Sequence, residues 1–125
     1  MIEQRKFNRV QIHNDLSYVV LDEREKPLDK GKGKTLDISQ GGLKLETKKP
    51  IIANYVLLMT INMNSEFTIK GHVVYCIEKI PNTFLIGIRF VDDIEKVKPV
   101  IMDMVKMFNK QKRLQNGIAW DRVKI

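Results

Sequence analysis

Asp37-Ile38-Ser39-Gln40-Gly41-Gly42 is a six-residue polar corner set between two apolar alternations. On its C-terminal side Leu43, Leu45 and Thr47 alternate with Lys44, Glu46 and Lys48, the period-two pattern of a strand buried on one face. On its N-terminal side, Lys34 to Ile38 reads as the strand that enters the corner. The paired glycines are expected to allow positive φ and a close approach to the backbone. Asp37 and Ser39 add a carboxylate and a hydroxyl, which such a turn can also spend on its own backbone.

Toward the N-terminus, Val10, Ile12, Leu16, Tyr18 and Val20 predict a strand over Val10 to Leu21 with an irregularity around Asn14-Asp15. Arg24 to Gly33 is charged and carries Pro27, Gly31 and Gly33, so it reads as a turn or hairpin loop. Toward the C-terminus, Lys49-Pro50 breaks the pattern, and Tyr55 to Met63 is apolar on both faces, as a central strand would be. Asn62 to Glu66 forms a polar connection. Phe67, Ile69, Gly71, Val73, Tyr75 and Ile77 then share one face of a long strand, which puts Tyr75 on the core side and His72 toward solvent. Pro81-Asn82 turns the chain into a further strand, Phe84 to Val91. Gly71 and Gly87, inside strands, predict sharp curvature or close contact. Six strands separated by turn signals predict a mainly β fold, a small six-stranded antiparallel β-barrel.

The period then changes to three- and four-residue steps at Ile94, Val97, Ile101, Met104 and Phe108, a helical stripe. Asp92 and Asp93 suit its start, and Lys106, Lys110, Lys112 and Arg113 suit its negative end. Pro99 disfavours helical geometry at Lys98, so a short opening turn is expected before Pro99 and the main helix from there to about Leu114, ended by Asn116-Gly117. The expected organisation is a flexible N-terminal arm over 1–9, the barrel and helix over 10–115, and a tail over 116–125 that carries Trp120.

With 125 residues the chain suffices for one domain with a single core. It has no run of eighteen apolar residues and no apolar segment of signal-peptide length at its start. A cytoplasmic protein without membrane insertion is expected. Cys76 is alone and His13 and His72 lie far apart, so neither a disulfide, a metal site nor a bound cofactor is expected. No nucleophile–base pair suggests an enzyme. The net charge of +7 favours an anionic partner, although a solvated basic surface would show the same excess. The absence of helix-turn-helix, zinc-finger, RNP and KH patterns speaks against nucleic acid. Arg5-Lys6-Phe7-Asn8-Arg9 places two guanidiniums four residues apart, each with planar paired donors that match phosphate oxygens.

Arg5 and Arg9 meet the pattern Arg-x-x-x-Arg, and Asp37, Ser39 and Gly42 meet Asp/Asn-x-Ser-x-x-Gly. In this order around a barrel pattern, with Gly87-Ile88-Arg89-Phe90 in the last strand and a terminal helix, the chain resembles a PilZ domain from Arg5 to about Leu114. PilZ domains are bacterial receptor modules for cyclic di-GMP. The resemblance implies a six-stranded PilZ-like barrel with a C-terminal α-helix that binds cyclic di-GMP through Arg5, Arg9, Asp37, Ser39, Gly41 and Gly42. Gln4, Lys6 and Tyr75 are possible accessory residues. Many members carry a further arginine beside the first motif arginine, where this chain has Gln4 and Lys6. In the family the residue just before the first motif arginine, here Gln4, influences whether one ligand or a stacked pair binds.

In that frame Arg5 and Arg9 would take phosphate or the O6/N7 edge of guanine. Asp37 would accept from guanine N1–H and N2–H, which adenine cannot offer, and Ser39 would reach base or phosphate. Tyr75 would stack on a guanine or pack in the core. The resemblance further implies a receptor that signals to an unidentified downstream protein in motility, adhesion or exopolysaccharide control. Two other readings are a PilZ-like protein-interaction module that binds no nucleotide and a basic nucleic-acid-binding domain, whose affinity would fall steeply with salt.

Overall fold

The computed structural model describes residues 10–60 and 68–124. Within them the elements are β1 (Val10–Gln11), β2 (Asp15–Leu21), β3 (Pro27–Ile38), β4 (Gly42–Thr47), β5 (Tyr55–Thr60), β6 (Thr68–Ile80), β7 (Thr83–Phe90) and α1 (Ile94–Lys124). All strand pairings are antiparallel. Neighbours run β3-β2-β5-β6-β7-β4, and β4 pairs back onto β3, so six strands close into the expected barrel. Closure removes the edges that an open sheet of this size would present over its paired length.

The predicted irregularity near Asn14 is a true interruption. β1 pairs with the end of β3 through Val10↔Ile38 and Gln11↔Asp37, and β2 pairs with β3 from Asp15↔Lys34 onward. Between them the backbone stays attached: Ile12 N–H donates to Leu36 O at 3.1 Å, and Thr35 N–H donates to Asn14 O at 2.7 Å. The break turns Ile12 and Asn14 inward, where both are buried.

Three expectations need correction. First, β3 begins at Pro27, so most of Arg24 to Gly33 is strand and only the residues around 22–26 turn. Composition misleads here because Gly31 and Gly33 serve packing: a Cβ at Gly31 would collide with the Tyr18 ring, and one at Gly33 with Leu45. Second, β6 does not keep one face inward. Its register slips between Val73 and Tyr75, so the extra residue at Val74 turns the chain over. Cys76, opposite Ile86, now faces the core as the filler its size suggests, while Tyr75 lies 36% exposed and Ile77 54% exposed. Third, α1 starts at Ile94 and runs through both Pro99 and Gly117 to Lys124. Asp93 O accepts from Lys96 N–H and Val97 N–H to open it. Pro99 lies on the exposed face between Val97 and Val100, both buried, and this packing offsets the hydrogen bond that proline cannot make. The expected connection over Asn62 to Glu66 lies outside the described residues.

One core holds the molecule. Leu16, Tyr18 and Val20 of β2, Leu43 and Leu45 of β4, Val56 and Leu58 of β5, and Ile86 and Ile88 of β7 are buried together with Val97, Val100 and Met104 of α1. Each such aliphatic side chain contributes roughly 1.5–3 kcal/mol over its exposed state. Asn14 fastens the helix to the barrel: its Nδ2 donates to Met104 O at 2.8 Å across a buried contact.

Candidate functional site

Residues directly opposite on neighbouring strands project from the same face of a sheet. The ladders therefore align a row across the outside of the barrel: Gln11 on β1, Asp37 on β3, Lys44 on β4, Gly87 on β7 and Tyr75 on β6. From Asp37 to Tyr75 are three interstrand steps, about 14 Å at about 4.8 Å each. Gly87 is the floor under the aromatic end. A Cβ there would fall inside the Tyr75 ring, so only glycine lets the ring lie flat across β7. This is the close contact that a glycine inside a strand foretells. It also corrects the core-side placement of Tyr75.

At the other end, Asp37 keeps 15% of its side chain exposed and faces Lys44, whose Nζ lies 3.8 Å from Oδ2. At that distance, with Lys44 a third exposed, the pair orients the carboxylate more than it stabilises the fold. The corner itself is self-bonded. Ser39 N–H donates to Gly42 O at 2.8 Å, Gly41 N–H donates to Ser39 Oγ at 3.2 Å, and Ser39 Oγ donates to the same Gly42 O at 3.4 Å. Ser39 is buried and spends its side chain on the turn, as such turns can. Phe90 N–H donates to Gly41 O at 2.9 Å and ties the corner to the end of β7.

The expectation of positive φ at the glycine pair is not met: no glycine among the described residues adopts it. Gly42 is required for space instead. A Cβ there would strike Ile88 O, a backbone atom of the paired strand that cannot swing aside. Positive φ occurs at Glu25 and Asn82, in the turns that lead from β2 to β3 and from β6 to β7.

A second row runs one step further along: Gly42, then Arg89 on β7, His72 on β6 and Tyr55 on β5. Arg89 is exposed, which puts a guanidinium on the same outer surface as the corner. His72 shares this outer face, as its strand position predicts, but is half-buried there. The Tyr55 ring meets it edge-on at 5.4 Å, and its Nδ1 is buried without a hydrogen-bond partner. The structure thus brings Asp37, Ser39, Gly41 and Gly42 together and aligns Tyr75 with them. Arg5, Arg9, Gln4 and Lys6 lie outside the described residues. Sequence reasoning missed Lys44 and Arg89 as neighbours of the site, because only strand register reveals them.

Among the described residues no three His, Cys, Asp or Glu side chains come together as metal ligands, and no helix is long and apolar enough to cross a membrane.

A closed six-stranded antiparallel barrel with one C-terminal helix is the architecture of one class of protein. The chain belongs to the PilZ domain family, whose sequence profile matches residues 3–103. Among solved structures it is similar to the PilZ domain of YcgR from Escherichia coli with c-di-GMP, at 13% identity and a TM-score of 0.66, over 92% of this chain and 98% of that one. It is also similar to the K. pneumonia MrkH–c-di-GMP complex, at 20% identity and a TM-score of 0.58, and to the Bacillus subtilis inhibitor of motility MotI/DgrA, at 11% identity and 0.58. These cover 88% and 90% of this chain, which in turn spans about half of each of those proteins, 55% and 53%. Among curated proteins no sequence match was found.

Proposed function

We propose that this chain is a non-enzymatic receptor for cyclic di-GMP, bound on the outer face of the barrel between the Asp37–Gly42 corner and Tyr75. The observation that carries the reading is the attachment of β1. Val10, the residue that follows Arg9 in the chain, pairs with Ile38, and Gln11 pairs with Asp37. An arm carrying Arg5 and Arg9 is thereby anchored at the carboxylate end of the row, where its guanidiniums can close over a dianion. Of the three similar structures described above, the YcgR PilZ domain and MrkH are complexes with c-di-GMP, in support of the same ligand here.

In this reading Asp37 accepts from the N1–H and N2–H of one guanine, held in place by Lys44. Tyr75, lying on Gly87, offers its ring to a base. Gly41 and Gly42 let the ligand reach the backbone of the corner, and Ser39 holds its shape. Arg5 and Arg9 take the phosphates or the Hoogsteen edge of guanine, with Gln4 and Lys6 beside them. Each charge-assisted hydrogen bond adds roughly 1.5–3 kcal/mol net. A few of these reach micromolar affinity, about −8 kcal/mol, when the arm orders at small cost. The ordered arm then changes the surface shown to a downstream protein, an order–disorder switch. The output is carried in the cytoplasm by that partner, in motility, adhesion or exopolysaccharide control.

Isothermal titration with cyclic di-GMP tests the reading directly. Binding in the micromolar range is expected, with Arg9→Ala and Asp37→Ala each weakening it by at least about tenfold, the equivalent of one lost charged contact. Absence of heat at about 100 micromolar protein, far above the dissociation constant such contacts predict, would overturn it.

A further inference from the structure

β6 is bonded on both sides for only part of its length. β5 pairs with it from Met59↔Thr68 to Tyr55↔His72, and Asn54 O takes one more bond from Val73 N–H at 2.8 Å. From Val74 to Ile80 the strand keeps β7 on one side, and among the described residues nothing pairs with the other. An unpaired strand edge presents a row of N–H and C=O groups ready to accept another strand. Native edges are usually guarded by being short, charged or covered. This one has charge only at Glu78 and Lys79, and its Val74, Ile77 and Ile80 are each more than half exposed.

The edge borders a groove. A half-open cavity of about 700 Å³ lies between β6, the tip of the β2–β3 hairpin and the segment that leads into β5, lined by Leu21, Leu28, Ile51, Ile52, Ala53 and Cys76. Ile52 is 84% exposed and Leu28 63%. A chain in this groove would continue the line of β5 past Tyr55, antiparallel to β6, with alternate side chains entering the apolar floor. Charge gives the groove a sign. Asp22 and Glu23 form its rim, on a chain whose net charge is +7. The walls are fixed: Lys70 bridges from β6 to Glu25 in the hairpin turn and stacks its ammonium over the Tyr55 ring at 4.7 Å.

We propose that the Val74–Ile80 edge and its groove form a docking site for an extended segment of a partner protein, apolar at alternate positions and flanked by lysine or arginine, which adds as a strand to β6. Main-chain hydrogen bonds give such an addition its affinity, and the groove gives it side-chain selectivity. A second copy of this chain fits less well. β6 shifts register between Val73 and Tyr75 and again between Glu78 and Ile80, so two such edges could match only over Tyr75 to Glu78. An incoming peptide without bulges of its own can follow the irregular edge and fill the groove that self-pairing would leave empty. The inference does not rest on the nucleotide reading, although the two surfaces meet at Tyr75, whose ring lies over Gly87 on the outer face.

The test uses the full chain, isotope-labelled for NMR, titrated with a nine-residue probe peptide of alternating valine and threonine with a lysine at each end. The expected result is saturable amide shifts confined to the groove and its edge, residues 21–28, 51–55 and Val74–Ile80. Leu28→Lys and Val74→Lys, both at exposed positions and harmless to folding, should weaken binding at least about tenfold each, the loss of one buried aliphatic contact. A probe with proline at its central positions, which cannot donate to the ladder, should not bind. Equal binding of the proline probe, shifts elsewhere, or no shifts at all would overturn the proposal. So would a dimer that pairs through β6 and excludes the peptide.

Discussion

Gly87→Ala separates the stability of the barrel from the binding surface on it. The added methyl would enter the Tyr75 ring, and Tyr75 must move because Gly87 lies in a paired strand and its backbone cannot. Tyr75 is 36% exposed, so its ring can swing outward, which keeps the cost modest. A fully buried aromatic covers about 150–250 Å². Loss of about a third of that area, at about 25 cal/mol per Å², costs about 1–2 kcal/mol. Alanine recovers about 0.5–1 kcal/mol over glycine in a strand interior. The net loss is therefore about 1 kcal/mol, readable by urea denaturation as a small fall in midpoint with an unchanged slope.

Binding should fall much further. Base–aromatic stacking contributes about 1–3 kcal/mol, and its loss weakens affinity for cyclic di-GMP by about 5- to 150-fold. Tyr75→Ala should match that loss, and the double variant should add little to either, because both remove the same platform. Parent-like affinity in folded Gly87→Ala would refute the argument. So would full additivity in the double variant.

Gly42→Ala puts its methyl against Ile88 O, which has no rotamer to escape into, so it should cost about 1–3 kcal/mol as an overpacked site, seen as a lower denaturation midpoint. Asn14→Ala removes the bond to Met104 O and leaves a small void. A loss of about 1–3 kcal/mol is expected, with helix amides exchanging faster than those of the barrel by hydrogen exchange. Tyr18 supplies a pH test. Burial raises its phenol above the ordinary value, Lys49 opposes this by a smaller amount, and Asp29 adds a further small rise. The folded state then holds the proton more tightly than the unfolded state, so this contribution is complete below about pH 10 and is lost as pH rises through the raised value. Thermal melts between about pH 8 and 11 should fall less steeply for Tyr18→Phe than for the parent chain.

Most of the barrel was legible in the sequence because closure demands alternation, and Leu43-Lys44-Leu45-Glu46-Thr47 alternates as written, with Leu43, Leu45 and Thr47 buried. β3 was misread because charge and glycine are loop signals, and here the lysines face water while Gly31 makes room for Tyr18. The helix was broken at Pro99 and cut short at Gly117. Local penalties at Pro99 and Gly117 are read residue by residue, whereas the face of Val97, Val100 and Met104 is bought once for the whole element.

Tyr75 shows why the site was harder to read than the fold. Counting by twos from Ile69 puts Tyr75 on the core face, and the count is right until Val74. One extra residue there reverses the faces of everything after it, and a period-two pattern has no means of recording such a slip. The sequence does carry a trace of it. Beyond the bulge the inward positions fall to the small Cys76 and the charged Glu78, while the outward ones fall to the larger Tyr75 and Ile77. An apolar face turned to solvent is expensive unless something covers it. Gly87 holds Tyr75 flat against the barrel, and the proposed ligand would cover it from above. Without the bulge Tyr75 would be core, Asp37 would have no aromatic counterpart, and the outer face of β4 and β7 would be a plain polar surface.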